Sequence, residues 1–315
     1  MNSEKKCYIC LQTLQSGQSV YHPACCKKLF SASIPPELPY TWSQLNEMAE
    51  SIIRQQVAVP GVQPKLSLHL ESKGTSRPAR FTLVSMAGGF ILKPPVREYP
   101  NMPELEHLTM RMASKLGIAT AECGLINLDD GQRSYITRRM DRQRGEKLHM
   151  EDMCQLTDRV TEQKYRGSME QVGKAVLKYC TNPVFDTLRL FELTLFCFLT
   201  GNSDMHLKNF SLLYTLGGEV SLSPAYDLLP TNLLLPADME ESALTINGKK
   251  NKLNVNDFLR FGSTLRLTEV QIQNALERIF RNLDHAVSLI EQGFCSIEMK
   301  ERYHSLIIER TKRLK

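Results

Sequence analysis

Gly201-Asn-Ser-Asp-Met-His-Leu-Lys-Asn209 is the stretch on which the reading of this 315-residue chain turns. An aspartate, four residues and an asparagine is the spacing of a phosphoryl-transfer loop. There the Asp accepts the proton of the attacking hydroxyl and the Asn holds magnesium against the nucleotide. A second acidic residue follows in Ser223-Pro-Ala-Tyr-Asp227-Leu-Leu. Between the two lies an expected hairpin, Phe210 to Leu216 and Glu219 to Leu222, joined at Gly217-Gly218. Base, metal ligand, hairpin and second metal ligand is the order of a kinase catalytic segment. Asp204 is therefore expected as the base, with Asn209 and Asp227 as magnesium ligands and ATP as phosphoryl donor.

Upstream, Phe90-Ile-Leu-Lys93 puts a cation into an apolar strand, where it needs a partner. The next helix supplies candidates. Pro103 sits near its start, Leu105, Leu108 and Met112 form one stripe, and Gly117 closes it. Glu106 is the favoured partner of Lys93, with Glu104 as alternate; acidic residues in a first turn also satisfy the helix dipole. Pro60-Gly61-Val-Gln-Pro-Lys65 precedes an alternating strand, and its glycine lets backbone amides approach a phosphate. Ser134 to Asp141 reads as a strand with a basic end, Arg138-Arg139-Met140, placed where an adenine edge would meet backbone atoms. His206 and Lys208 flank the base inside the loop. The former is expected to touch nucleotide or substrate, the latter to offset phosphoryl charge or to be solvated.

Beyond Arg144 the apolar spacing turns helical: 146–155, 168–179, 184–200, 255–261, 268–293 and 297–313. Thr268 with Gln271 makes a capping box. A sheet-rich front and a helix-rich back give an α+β, two-lobed protein-kinase-like fold, with a β-rich N-lobe (36–143) and an all-helical C-lobe (144–315). Residues 31–40, rich in Pro and Ser, read as a linker, and Thr41 to Gln55 as a helix.

Four of the nine cysteines lie in the first 26 residues. Cys7-x2-Cys10, eleven residues, then His22-x2-Cys25 is the paired-ligand spacing of a structural zinc site, with Cys26 an equally placed competitor for Cys25. Residues 1–35 are expected to form a small zinc-binding stub. An apolar fraction of 42% and a charged fraction of 23% are those of an ordinary globular protein. A net charge of +5 permits an acidic partner without requiring nucleic acid. The most apolar segment, 184–199, is broken by Asp186, Arg189 and Glu192, which argues for a buried helix and against a membrane span. Residues 1–7 lack the apolar core of a signal peptide, and the odd cysteine count suits reduced thiols, so a cytoplasmic location is expected.

Gly61-Val-Gln-Pro-Lys65, Phe90-Ile-Leu-Lys93, Arg138-Arg-Met-Asp-Arg142, Glu151-Asp-Met-Cys-Gln155, Asn202-Ser-Asp-Met-His-Leu-Lys-Asn209 and Tyr226-Asp227 occur in the order in which the HipA-like serine/threonine kinase toxins carry them. The chain resembles that family from about Val57 onward. The resemblance implies that Pro60, Gly61, Val62, Gln63, Pro64 and Lys65 form a loop over the ATP phosphates, and that Lys93 contacts them. It implies that Arg138, Arg139 and Met140 hold the adenine, that Asp204 is the base, and that His206, Leu207, Lys208 and Asn209 touch nucleotide. Tyr226 and Asp227 would complete the site, with Asn209 and Asp227 on Mg2+. The implied activity is phosphorylation of a protein serine or threonine, an aminoacyl-tRNA synthetase in the best-understood members. The implied partners are a helix-turn-helix antitoxin and, through it, operator DNA.

Two departures stand out. Residues 1–56 replace the larger β-rich subdomain of full-length relatives, which resembles the shorter, three-component (HipT-like) branch, where a small separate protein serves as antitoxin. Where relatives carry a serine whose autophosphorylation shuts the enzyme off, this chain has Ala58, Val59 and Pro60. Self-inhibition is therefore expected to be absent or to use another hydroxyl. Other readings consistent with the sequence are a kinase-shaped corepressor bridging antitoxin and DNA, and a kinase of a lipid or small molecule.

Overall fold

Alternation in Lys65 to Leu70 sends Leu66 and Leu68 to one side of a strand, and these two residues start the first of two cores. The computed structural model describes residues 5–18, 20–55, 64–71, 77–84, 88–143 and 146–315, without the side chains of 49–55. Of the expected phosphate loop, Pro60, Gly61, Val62 and Gln63 lie outside the described residues, as do Ala58 and Val59. The chain divides into two units.

The first unit comprises Met1–Leu108, Ala121–Arg139 and Gln292–Cys295. It holds α1 (Pro23–Phe30), α2 (Trp42–Gln55), β1 (Leu66–Glu71), β2 (Arg80–Leu83), β3 (Phe90–Lys93), the front of α3 (Met102–Lys115), β4 (Cys123–Asn127) and β5 (Arg133–Arg138). The strands form one antiparallel sheet in the order β2-β1-β3-β5-β4, with Leu66 opposite Leu92 and Lys93 opposite Tyr135. Residues from the cysteine-bearing N-terminus share the sheet's core. Cys7, Ile9, Tyr21, Cys26, Leu29 and Phe30 pack with Leu66, Leu68, Phe81, Phe90, Leu92 and Ile136. The rings of Phe30, Phe81 and Phe90 meet at 5.2–6.0 Å between centroids. The sequence suggests a stub without a core of its own; the structure shows how that is met, by a core held in common with the sheet.

The second unit comprises Thr109–Thr120, Met140–Glu291 and Ser296–Lys315. Its elements are β6 (Arg142–Gln143), β7 (Glu146–Lys147), β8 (Met150–Asp152), α4 (Met153–Leu156), α5 (Met169–Tyr179), α6 (Pro183–Thr200), β9 (Ser211–Tyr214), β10 (Val220–Leu222), α7 (Thr231–Leu234), α8 (Val255–Thr264), α9 (Glu269–Val287), α10 (Leu289–Gln292, its last residue in the first unit) and α11 (Ile297–Lys312). Helix α6 is buried almost all round, with Leu190, Phe191, Leu195, Phe196, Phe198 and Leu199 inside, and α5, α8, α9 and α11 pack on it. The expected hairpin is present as β9 and β10, and β8 joins it to make a three-stranded sheet inside the helical half. That pairing corrects the helix expected over 146–155. Met150 to Asp152 face Leu213 to Ser211 as a strand, and the helix starts only where Asp152 and Gln155 cap each other. No helix among the described residues is long and apolar enough to cross a membrane.

Candidate active site

Helix α6 stops at Gly201, which is in the left-handed region at φ 69°. The N–H of Asn202 returns to the carbonyl of Cys197 and that of Gly201 to Phe198, the two bonds of a Schellman ending. A buried helix therefore launches the loop from a fixed point. Asn202, 2% exposed, accepts the N–H of Asp204 on its Oδ1 at 3.2 Å. The carbonyl of Asp204 accepts from the N–H of His206 (2.8 Å) and from Nδ2 of Asn209 (3.0 Å). Asp204 and Asn209 thus belong to one hydrogen-bonded ring closed by the 3-10 turn Leu207–Asn209. Because the amide nitrogen of Asn209 is directed to Asp204, its Oδ1 is the atom a hard cation would take.

The aspartate's carboxylate is positioned from elsewhere in the chain. Tyr165 donates its phenol to Oδ1 of Asp204 at 2.8 Å, and among the described residues no ion pair involves Asp204. Beside it, burial pushes the His206 imidazole down to about 4, against the pull of Asp204 and Asp227. His206 is therefore neutral near pH 7, its ring edge-on to Tyr165 at 5.1 Å. Lys208 meets Asp152 at 2.7 Å, so its ammonium is already tied to the capping residue of α4. Leu207 is fully buried, with its N–H on the carbonyl of Lys164, so its side chain serves the interior. Tyr226 donates to the carbonyl of Lys208 (2.8 Å) and shares a 2.7 Å hydrogen bond with Ser211, pinning the loop's far end one residue before Asp227. Asp227 itself sits at φ 60°, a conformation few residues other than glycine, Asn and Asp adopt, at a cost of about 1 kcal/mol or more. Its neighbour Ala225 is bridged to Thr120. A cavity of about 430 Å³ in the same unit, lined by Ile118, Phe185, Leu188 and Arg278 among others, contains none of these loop residues.

In the first unit Lys93, 4% exposed, meets Oε1 of the fully buried Glu106 at 2.5 Å and lies 5.4 Å from the ring centre of Tyr135. The alternate, Glu104, goes to Arg133 at 3.4 Å instead. Of the expected adenine-binding residues, Arg138 sends its side chain to Ser31 Oγ (2.6 Å), and the N–H groups of Arg138 and Arg139 bond Glu122 and Gly89 carbonyls. Met140 is half-buried in the second unit; Pro64 is half-buried and Lys65 exposed at the entry to β1.

The ligand atoms of Cys7, Cys10, His22 and Cys25 lie within 4.8 Å of one another. Consecutive helical residues point about 100° apart, which resolves the competition in α1: Cys25 turns to the cluster while Cys26, 1% exposed, turns to the core. His22 Nδ1 is 3.3 Å from Cys10 Sγ and 4.0 Å from Cys25 Sγ, and its Nε2 lies 3.1 Å from the Thr13 carbonyl. The backbone N–H of His22 approaches Cys7 Sγ at 3.4 Å. The hydrogen bond from Cys10 brings Cys7 down to about 4, while Cys10 is pushed up. One thiol is thus poised as thiolate with an imidazole beside it, a donor set that could hold zinc.

Sequence reading missed Tyr165 and Asp152, whose partners stand 39 and 56 residues away. A resemblance was the only signal for the second, and nothing local marks the first.

Comparison with known proteins bears on the family and the fold. A protein of Haemophilus influenzae named as a kinase is 28% identical over 287 residues, covering 82% of each chain. The Sinorhizobium fredii kinase-named Y4dM is 30% identical over 246 residues, 71% of this chain and 58% of its own. The serine/threonine-protein kinase toxin HipA of Shewanella oneidensis is 26% identical over 258 residues, 75% of this chain and 57% of its own. The present chain thus spans under two thirds of the last two. Among solved structures, the Shewanella HipA, in complex with HipB and operator DNA, matches at TM-score 0.68 and 23% identity over 84% of this chain and 70% of that one. The Helicobacter pylori proinflammatory kinase CtkA matches at TM-score 0.55 and 18% identity over 78% and 93%. Both establish a kinase-like fold. The family description "HipA-like C-terminal domain" matches residues 57–288, and the chain belongs to that family.

Proposed function

We propose that this chain is an ATP-dependent serine/threonine protein kinase acting as the toxin of a bacterial toxin–antitoxin pair. The observation that carries the reading is the ring joining Asp204 to Asn209: a carboxylate directed by Tyr165, and an amide oxygen left for a cation by the turn that holds it. Asp204 would orient the substrate hydroxyl and take its proton. Lys93, steered by Glu106, would offer its ammonium to nucleotide phosphates. Asn209 and Asp227 supply hard oxygen donors suited to magnesium, which when bound would neutralise charge on the phosphates. His206, kept neutral by burial, can donate or accept a hydrogen bond there without adding charge. For domains we read 1–35 as the metal-binding segment, 36–143 as the nucleotide-binding lobe and 144–315 as the catalytic lobe.

The substrate class, a protein hydroxyl whose loss stops translation, and the partners, an antitoxin with operator DNA or a small separate antitoxin, are carried by family membership and by HipA having been solved with HipB and operator DNA. A cytoplasmic site of action goes with them. Phosphoproteomics of cells expressing the parent or Asp204→Gln tests the enzyme. New phosphoserine or phosphothreonine with growth arrest in the parent alone is expected; arrest by both alike would favour a bridging corepressor without turnover. A phosphorylated lipid or small molecule with no protein target would move the substrate class.

Zinc fits the N-terminal cluster on its donor chemistry. A tetrahedral ion with bonds of about 2.0–2.3 Å spaces its ligands about 3.3–3.8 Å apart, a small contraction from what is present. The Thr13 carbonyl on His22 Nε2 fixes the tautomer that leaves Nδ1 for the metal. Purified protein is expected to carry stoichiometric zinc, and Cys7→Ser with Cys10→Ser to lose it and melt earlier.

A further inference from the structure

Tyr8 and Ile9, the two residues between the first pair of thiols, reach beyond their own turn. The carbonyl of Ile9 accepts a hydrogen bond from His107 Nε2 at 3.0 Å, and both residues are buried, Ile9 at 3% and His107 at 0% exposure. The phenol oxygen of Tyr8 accepts from Arg133 Nε at 3.2 Å, and the same guanidinium lies 3.4 Å from Glu104. The carbonyl of Tyr8 takes the N–H of Leu125 at 2.8 Å, which ties the turn to β4 as well.

Both side-chain links end on α3, at positions 104 and 107, either side of Glu106. Residues 104, 106 and 107 leave a helix in different directions, because each step turns the side chain by about 100°. A helix gripped at two such points cannot rotate to release Glu106 without breaking a buried hydrogen bond or the Arg133 contact. Orphaning the Ile9 carbonyl would be costly in that interior. The turn's own shape depends on how far apart Cys7 and Cys10 are held, which a bound ion would fix.

We propose that zinc at Cys7, Cys10, His22 and Cys25 sets the rotation of α3 and thereby the Lys93–Glu106 pair, with His107 as the positioning residue that transmits it. The inference rests on the reading of that pair as the one that orients nucleotide phosphates. It makes the N-terminal metal site a determinant of phosphoryl transfer as well as of folding.

The test compares full-length protein loaded with zinc, the same protein after chelation, and zinc-loaded His107→Leu and His107→Gln. Three quantities are read: the single-turnover transfer rate, the affinity for a fluorescent ATP analogue, and amide exchange along 104–108. Chelation and His107→Leu should each slow transfer by about tenfold or more, as expected for a misplaced reacting group, and should speed exchange in α3. His107→Leu should keep its zinc, and His107→Gln, whose amide can donate to Ile9, should recover most of the rate. In a Glu106→Gln background neither change should slow transfer further. If chelation unfolds the protein, zinc-loaded His107→Leu carries the test alone. An active parent whose rate ignores zinc, a His107→Leu protein at the parent rate, or equal slowing in the Glu106→Gln background would each overturn the inference while leaving the kinase reading intact. A zinc-loaded parent that neither binds ATP nor transfers phosphate would overturn both.

Discussion

Glu106 in the first unit and Asp204 in the second are held in opposite ways. In the first, Glu106 is wholly buried and meets an ammonium at 2.5 Å, so its charge is answered inside the protein. In the second, Asp204 is only partly buried and is directed by a phenol and a turn, with no ion pair among the described residues. The lesson is a division of labour. A buried pair can aim a cation but cannot readily take up a proton, whereas a carboxylate held by neutral donors keeps its charge for a proton or a metal. Removing either partner of the buried pair leaves a charge stranded, so it should disturb structure and function together.

The contrast breaks first, and hardest, at Asp204, the proposed base. Asp204→Gln should lower the transfer rate by roughly 10²–10⁴-fold with melting temperature little changed, read by single-turnover kinetics and thermal denaturation. Lys93→Met should cost the protein about 3 kcal/mol of stability as well as activity, because it strands the Glu106 charge; urea denaturation would show it. Equal stability losses for Asp204→Gln and Lys93→Met would erase the distinction. Next is the loop's launching point. Gly201→Ala puts a Cβ 2.5 Å from Leu306 Cδ2 on a backbone at φ 69° and should destabilise by about 1–3 kcal/mol.

How much of this the sequence shows depends on how local the determinant is. The Asp204–Asn209 spacing is legible because six residues of chain carry both groups, and α6 is legible from its long apolar run and closing glycine. The Lys93–Glu106 pairing is readable because a strand lysine needs a partner and the next helix offers two; only packing chooses between them, since Arg133 takes Glu104. Residues 146–155 mislead because their fate is set by β9, some sixty residues on, against a helix-like apolar pattern. Cys25 against Cys26 is decided by the phase of α1 on the core, which ligand spacing does not encode. Nothing in the sequence marks Tyr165, and only the resemblance marks Asp152, because each touches the loop only through the tertiary fold.

A subtler difference between the units lies in pH. Burial lowers the His206 pKa to about 4, so the folded state disfavours its protonation while an unfolded histidine titrates near 6.5. The unfolded chain then binds more protons between those values. Stability from this group is full above about 6.5 and falls as pH drops toward 4, by at most about 3 kcal/mol. Denaturation across that window should show the slope in the parent and a shallower one in His206→Asn; identical slopes would remove His206 as its source. Smallest of all, Tyr165→Phe removes one donor from Asp204 and should slow transfer by roughly three- to tenfold, read by single-turnover kinetics. An unchanged rate would make Tyr165 a bystander.

The central claim is that Asp204 takes the proton of a protein hydroxyl during transfer of a phosphoryl group from ATP. Its most direct measurement is label transfer from γ-labelled ATP to protein in a cell extract, by parent and by Asp204→Gln at matched nucleotide occupancy. The account predicts labelled serine or threonine with the parent and a signal lower by roughly a hundredfold or more with the variant. Labelling by Asp204→Gln at the parent's rate would contradict it.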